Sequence, residues 1–346
     1  MCIVTDDPTP VPPPRRPPAV LAMLDGFLDH TFPPDRLAAL DGVCDLLSPE
    51  PVSDFSTPEA RDLLGRAEVL VGHWGCPTLT AEVLDLAPNL RLFAYAAGTV
   101  KWQVTDAVWE RGIAVTSAAA ANAVPVAEYT VAAVLLAGKG VWSFIARERD
   151  PGARVPLDHA TIGNVGRRVG LVGASHVGRL VIEYLRPHAV EVAVADPFLS
   201  PEEAEHLGVA LMDLDGLCGW AEVLSLHAPD VEATKGMIGA AQLALLPDGA
   251  TLVNTARPAL VDSAALLAEL SSGRLSAVLD VTDEEPLPRD HPLRDLPNVV
   301  LTPHVAGAMG NEMVRLADLA IEEVARYAQG RPPRYPVTRG DLDRIA

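Results

Sequence analysis

The chain has 346 residues, and a few of them are spaced for chemistry. The most compact group is a glycine-rich turn, Gly170-Leu-Val-Gly173-Ala-Ser175-His-Val-Gly178, which follows an apolar run and precedes a helical pattern. Gly173 permits a tight turn, and Gly178 lets the helix pack close to the strand. The start of the helix then points free N–H groups at a pyrophosphate. Asp196 ends the next apolar run, Val190–Ala195. A carboxylate there accepts hydrogen bonds from ribose hydroxyls and repels a 2′-phosphate, which favours NAD over NADP. Ser175 stands where the fingerprint has its middle glycine. Its hydroxyl can donate to phosphate, but the side chain narrows the backbone approach. Further along stand Arg257, the adjacent Glu284 and Glu285, and His304. Guanidinium, carboxylate and imidazole are the groups that grip anions and move protons.

Positioning these residues takes alternating strands and helices. Strands are expected at 19–24, 43–47, 68–72, 90–95 and 113–116, with helices near 34–40, 58–66, 78–86 and 104–110. Thr57 followed by Pro58 is an N-cap with proline at the first helical position. A long helix is expected to begin at Pro125 and run toward Arg147, followed by a Pro- and Gly-rich loop to Gly166. A second series places strands at 169–172, 191–195, 223–227, 251–254, 277–281 and 299–301, the count of a doubly wound sheet. A last helix, about 310–329, ends at Gly330 and Pro332. The expected fold is α/β with two parallel-sheet domains. A Pro-rich disordered tail (1–18) precedes a substrate domain (19–123 and 308–346), and a Rossmann domain (124–307) binds NAD. The active site is expected in a cleft between the domains.

Three segments, Leu252-Val-Asn-Thr-Ala-Arg257-Pro-Ala-Leu-Val-Asp262, Leu279-Asp280-Val-Thr-Asp-Glu-Glu285-Pro286 and Leu301-Thr-Pro-His304-Val-Ala-Gly307, resemble in order and spacing the D-2-hydroxyacid dehydrogenases. The resemblance runs from about Leu90 to Gly330 and includes Leu226-His-Ala-Pro229. It implies a flavodoxin-like substrate domain beside the Rossmann domain. It also implies a catalytic trio of Arg257, Glu285 and His304, with Glu284 a bystander. Arg257 grips the carboxylate or carbonyl oxygen of the substrate. Glu285 orients the imidazole and stabilises its charged form. His304 exchanges a proton with the oxygen at C2 while hydride passes between NADH and that carbon. Further contacts implied are His176 and Val177 over the pyrophosphate, and Pro229, Thr255 and Ala256 at the nicotinamide end. Asp280 meets the carboxamide, and the backbone N–H groups of Ala97, Gly98 and Thr99 meet the substrate carboxylate. The family usually has glycine where Pro258 stands, an acidic residue near Val100-Lys101-Trp102, and a tryptophan within 152–166.

Composition narrows the partners. Lys and Arg total 27 against 46 Asp and Glu, a net charge of -19, which repels nucleic acid and anionic membrane surfaces. No apolar run is expected to reach the roughly 20 residues that span a bilayer, since 131–137 is bounded by Glu128 and Lys139. Four cysteines in no metal-ligand or disulfide spacing read as reduced thiols of a cytoplasmic protein, with no metal expected. The expected activity is NAD-dependent oxidoreduction of a small 2-oxo or 2-hydroxy acid by a homodimer. The alternatives are an NAD(H)-binding corepressor-like regulator and a formate or phosphite dehydrogenase on the same scaffold.

Overall fold

Residues 15–150 and 162–342 are described by the structure, a computed structural model. They divide into two units, one of residues 15–118 with Met313–Arg339 and one of residues 119–312 with 340–342. In chain order the strands are β1 (Pro18–Ala22), β2 (Asp45–Leu46), β3 (Val69–Gly72), β4 (Leu92–Tyr95), β5 (Ala114–Ser117), β6 (Arg167–Val172), β7 (Val190–Ala195), β8 (Ala210–Leu211), β9 (Val223–Leu226), β10 (Thr251–Asn254), β11 (Ser276–Leu279), β12 (Val299–Leu301) and β13 (Pro336–Val337).

The first unit holds a sheet in the order β13-β5-β4-β3-β1-β2, parallel except for β13, which pairs antiparallel with β5. Without that edge strand this is the flavodoxin-like order. Strands β3 and β4 are buried at every position, as a parallel sheet covered on both faces requires. Helix Pro58–Arg66 starts where its cap dictates, with the Thr57 side chain accepting from Ala60 N at 3.2 Å. Helix Val314–Ala328 buries Leu316, Ala317, Leu319, Ala320 and Val324 along one face. It packs on helix Pro34–Val43 and on β4.

The second unit holds a seven-stranded parallel sheet in the order β12-β11-β10-β9-β6-β7-β8. The chain builds outward from β6 through β7 to β8, then returns to the other side of β6 for β9 to β12. The reversal between β6 and β9 is the switch point at which sheets of this kind bind ligands. One face is covered by helices Ala119–Gly138 and His176–Leu185, which bring Val131, Val134, Val181, Ile182 and Leu185 into a single core cluster. The other face is covered through Leu217, Leu243, Leu266 and Leu270. Each such burial contributes roughly 2 kcal/mol, which fixes the sheet whose carboxyl edge carries the functional loops.

Several sequence expectations need correction. The long helix begins at Ala119, with Pro125 inside it, and stops at Gly138. Gly140 is left-handed (φ 63) and a second helix, Val141–Arg149, follows. The alanine-rich segment before Pro125 has high helix propensity, which carries the helix back past the proline. At 20 residues, Ala119–Gly138 is long and apolar enough to cross a membrane by length and composition, contrary to expectation. Here it is the core helix packed against His176–Leu185. The two-residue strands β8 and β13 were not anticipated. Residues 15–18, expected in the tail, are tied down. Arg15 reaches Glu68 at 2.5 Å, Arg16 reaches the Cys44 carbonyl at 2.9 Å, and Pro18 opens β1. The rest of the expected tail and most of the loop before Gly166 lie outside the described residues.

Candidate active site

The glycine-rich turn joins β6 to helix His176–Leu185 at the switch point. Gly173 has φ 101, and a Cβ on it would sit 2.9 Å from Ala228 N and from the His227 carbonyl carbon. A Cβ on Gly178 would meet the Gly173 carbonyl oxygen at 2.3 Å. Both positions therefore need glycine, one for the turn and one for the close approach of the helix. Ser175 has φ -65 and ψ -176, so this site makes no demand for glycine. Its oxygen caps the helix, accepting from Gly178 N at 3.5 Å, and its O–H remains to donate. The first-turn N–H groups of His176 and Val177 have no protein acceptor among the described residues, as the start of a helix leaves them.

Asp196 follows β7 and braces the turn. Its Oδ2 accepts from Ala174 N at 2.7 Å and its Oδ1 from Phe198 N at 2.8 Å. The carboxylate is thereby fixed next to the glycine-rich turn, while its remaining lone pairs stay available. The residues at the switch point fit a dinucleotide: a glycine cradle that a Cβ would fill, unpaired N–H groups at a helix start, and an oriented carboxylate on the adjacent strand.

Arg257 lies just past β10, half-buried, in extended geometry (φ -144, ψ 141). Pro258 accounts for that conformation, because a proline excludes the helical region for the residue before it. Proline also suits the first position of the short 3₁₀ turn Pro258–Leu260 that follows. Asn254, at the end of β10, clamps the loop. Its Oδ1 accepts from Ala256 N at 3.0 Å and its Nδ2 donates to the Arg257 carbonyl at 2.9 Å. The only sign of Asn254 in the sequence is its place in the quoted motif. Burial holds the Arg257 guanidinium below its ordinary value, and the carboxylates of Asp230 and then Glu285 pull the other way. Neighbouring Thr255 is buried and shares a hydrogen bond of 2.8 Å with Thr130. The Pro229 carbonyl, past β9, accepts from Thr234 Oγ1 at 2.5 Å.

His304 and Glu285 meet directly, Nδ1 to Oε2, at 2.9 Å. Both side chains are partly exposed. Glu285 is steadied by Thr282, whose N–H donates to Oε1 at 3.3 Å. Glu284 instead lines a neighbouring cavity. His304 Nε2 makes no hydrogen bond within the described residues. His304 is also the one non-glycine residue with positive φ (56) among those described. Such backbone persists only where surroundings impose it, and here Asp280 does so. The Asp280 carbonyl accepts from His304 N at 2.9 Å. Its carboxylate Oδ1 accepts from Thr302 Oγ1 at 2.6 Å and Val305 N at 2.9 Å, and its Oδ2 from Ala306 N at 2.9 Å. Asp280, expected at a carboxamide, also builds the His304 loop. The turn, Asp196, Pro229, Arg257, Asp280 and His304 all follow carboxyl ends of strands in one sheet.

In the first unit, Ala97, Gly98 and Thr99 follow β4. Ala97 is buried, its carbonyl accepts from Ala118 N at 2.9 Å, and Thr99 Oγ1 accepts from Lys101 N at 3.3 Å. The backbone N–H groups of the three residues take no acceptor within the described residues. No cluster of three or more His, Cys, Asp or Glu residues suited to a metal occurs among the described residues.

The family model for the D-isomer specific 2-hydroxyacid dehydrogenase NAD binding domain matches residues 147–306. The chain is 33% identical over 264 residues to D-3-phosphoglycerate dehydrogenase of Archaeoglobus fulgidus, covering 76% of this chain and 50% of that protein. It thus spans about half the length of the phosphoglycerate dehydrogenases it matches. It is 31% identical over 324 residues to glyoxylate reductase of Aeropyrum pernix, covering 90% of this chain and 95% of that one. Among solved structures, a phosphoglycerate oxidoreductase from Rhizobium etli matches with a TM-score of 0.78 at 26% identity, covering 94% of this chain and 99% of that one. The chain belongs to the D-isomer specific 2-hydroxyacid dehydrogenase family and carries that family's NAD-binding domain.

Proposed function

We propose that this protein reduces a small 2-oxo acid to the D-2-hydroxy acid with NADH, and runs the reverse with NAD. The carrying observation is the 2.9 Å pair of His304 and Glu285 on the carboxyl edge of the sheet that also bears the dinucleotide turn and half-buried Arg257. Bound NADH supplies hydride to C2 of the substrate. His304 donates a proton from Nε2 to the C2 oxygen, with Nδ1 held by Glu285 so that the ring cannot rotate away. Arg257 takes the substrate carboxylate or carbonyl oxygen in its forked N–H array, and its partial burial strengthens the grip. The N–H groups of Ala97, Gly98 and Thr99 are available to donate to a substrate carboxylate. Asp280 fixes the His304 loop, and the lone pair left on its Oδ2 would accept from the carboxamide of a bound nicotinamide. In oxidation neutral His304 removes the hydroxyl proton.

The protein works as a cytoplasmic homodimer in this reading. Partly exposed Leu136, Phe144 and Ile145 on helices Ala119–Gly138 and Val141–Arg149 support a second copy. The thiols of Cys44, Cys76 and Cys218 are buried, and burial pushes Cys44 up to about 12 and Cys218 to about 11, which suits unreactive, reduced cysteines.

The test is loss of NADH absorbance with a panel of 2-oxo acids, glyoxylate and hydroxypyruvate included. At least one is expected to turn over, and His304→Ala to slow it by roughly 10²–10⁴. Turnover of formate or phosphite alone would overturn the substrate class. Tight NADH binding without any turnover would favour a regulatory role.

A further inference from the structure

The second unit contains a cavity of about 190 Å³ behind the loops that follow β10 and β11. Its floor is apolar, formed by Val261, Leu266, Leu279, Val281, Leu287 and Leu293. Its polar lining includes Ser263, Thr282, Asp283, Glu284 and His291, and no Lys or Arg among the described residues lines it. The remaining polar residue, Asn254, has its amide committed to Ala256 and Arg257. Ser263 donates to Asp283, and His291 Nδ1 accepts from Leu293 N at 3.3 Å. Asp283 and Glu284 have no cationic partner among the described residues. An apolar cavity of about 150 Å³ holds benzene, so this one accommodates a six-membered ring or a short branched alkyl chain with a small polar arm. The two carboxylates at the lining set the sign of that arm.

We propose that this cavity is a second ligand site, which takes a small amphipathic amine. The hydrocarbon body fills the apolar floor, and the ammonium donates to Asp283 and Glu284. The preference is the reverse of the reaction site, where Arg257 selects carboxylates. The two are joined through the cavity wall. Thr282 donates through N to Glu285 and through Oγ1 to the Glu284 carbonyl at 2.7 Å, and Asn254 holds the Arg257 carbonyl. An amine seated there therefore touches residues that position two of the trio.

The test is calorimetric titration of the full chain with benzylamine, with and without saturating NADH, alongside benzyl alcohol and benzoate. It reads binding and not turnover, so its failure leaves the dehydrogenase reading standing and the converse also holds. Benzylamine is expected to bind saturably with a Kd of about 1 mM, a normal value for a ligand of its size, whether or not NADH is present. Benzyl alcohol and benzoate should bind at least roughly tenfold more weakly. Asp283→Asn with Glu284→Gln should weaken the amine by about tenfold, since exposed ion pairs contribute up to roughly fivefold each, and leave the alcohol unchanged. Leu266→Phe should block both, provided its thermal unfolding stays cooperative. The carboxylate variants decide the question if it does not. Absence of benzylamine binding at about 10 mM, equal binding of amine and alcohol, or indifference to the double substitution would each overturn the proposal.

Discussion

Replacing Asp280 with Asn changes one oxygen and one charge in the piece of structure that shapes the His304 loop. Asp280 is 2% exposed, and its carboxylate takes three donors, Thr302 Oγ1, Val305 N and Ala306 N. In Asp280→Asn the amide nitrogen must face either Ala306 N or the Thr302 and Val305 pair, and it accepts from neither. One charge-assisted bond, about 1.5–3 kcal/mol, is lost, and at least one N–H is left buried at about 1–3 kcal/mol. The sum is about 2.5–6 kcal/mol, so the thermal midpoint of the second unit should fall by roughly 5–24 °C. The same change loosens the Val305 and Ala306 anchors beside left-handed His304 (φ 56), whose own N–H stays on the main-chain carbonyl of residue 280. A misplacement of about 1 Å costs on the order of 10²-fold in rate, so kcat should fall by about that factor even where the fold survives. Steady-state NADH kinetics and a thermal melt on the same preparation read both effects. A variant with a wild-type melt and a kcat within about twofold would refute the reasoning. A variant that loses rate with an unchanged melt would show that Asp280 acts on ligand alone and does not hold the loop.

Three further outcomes are expected. Asp196, fixed by Ala174 N and Phe198 N, should make kcat/KM favour NADH over NADPH by at least roughly tenfold, about 1.4 kcal/mol, and Asp196→Ala should narrow that gap; equal use of both cofactors by the wild type would contradict the role. Gly178→Ala would place a Cβ 2.3 Å from the Gly173 carbonyl oxygen, so NADH affinity by fluorescence titration should drop at least about tenfold and stability by about 1–3 kcal/mol, whereas Ser175→Ala should cost only a helix cap, about 1 kcal/mol. Burial pushes His73 down to about 4 and His227 to about 3. Between those values and the ordinary value near 6.5 the unfolded chain binds protons that the folded chain refuses, so stability is complete above about 6.5 and falls with pH by roughly 1.4 kcal/mol per unit for each histidine. Urea unfolding at pH 7 and 5 checks this, and His227→Gln should flatten the slope; an unchanged midpoint at pH 5 in the wild type would show that neither histidine is held neutral.

Both sheets were legible because parallel strands covered on two faces read as short apolar runs, and β10 and β12 fall where those runs fall. Asp196 was legible because it ends such a run. Strands β8 and β13 were not, since two residues carry no periodicity. The start of the long helix was misplaced because proline at a first helical turn is the commoner arrangement, while the alanines before Pro125 extend the helix through it. Gly140, left-handed just past the helix end at Gly138, carries the same glycine sign as Gly330, but the apolar pattern running on toward Arg147 masks it. At the site, choosing between Glu284 and Glu285 required family resemblance, because adjacent carboxylates look alike to any pattern. In the structure Glu285 bonds to His304 and Glu284 faces the cavity. The supporting parts of Asn254 and Asp280 were invisible. Their work is done by side-chain bonds to backbone groups that only the folded loops bring within reach.

The proposed hydride transfer is tested most directly with NADH deuterated at the transferring position of the nicotinamide. The enzyme, a 2-oxo acid that turns over and this cofactor should give a D-2-hydroxy acid with deuterium on C2, read by mass spectrometry and chiral chromatography. His304→Ala should form the same labelled product more slowly by roughly 10²–10⁴. Product of L configuration, product without deuterium at C2 when either face of the cofactor carries the label, or a His304→Ala rate equal to the wild type would contradict the proposed chemistry.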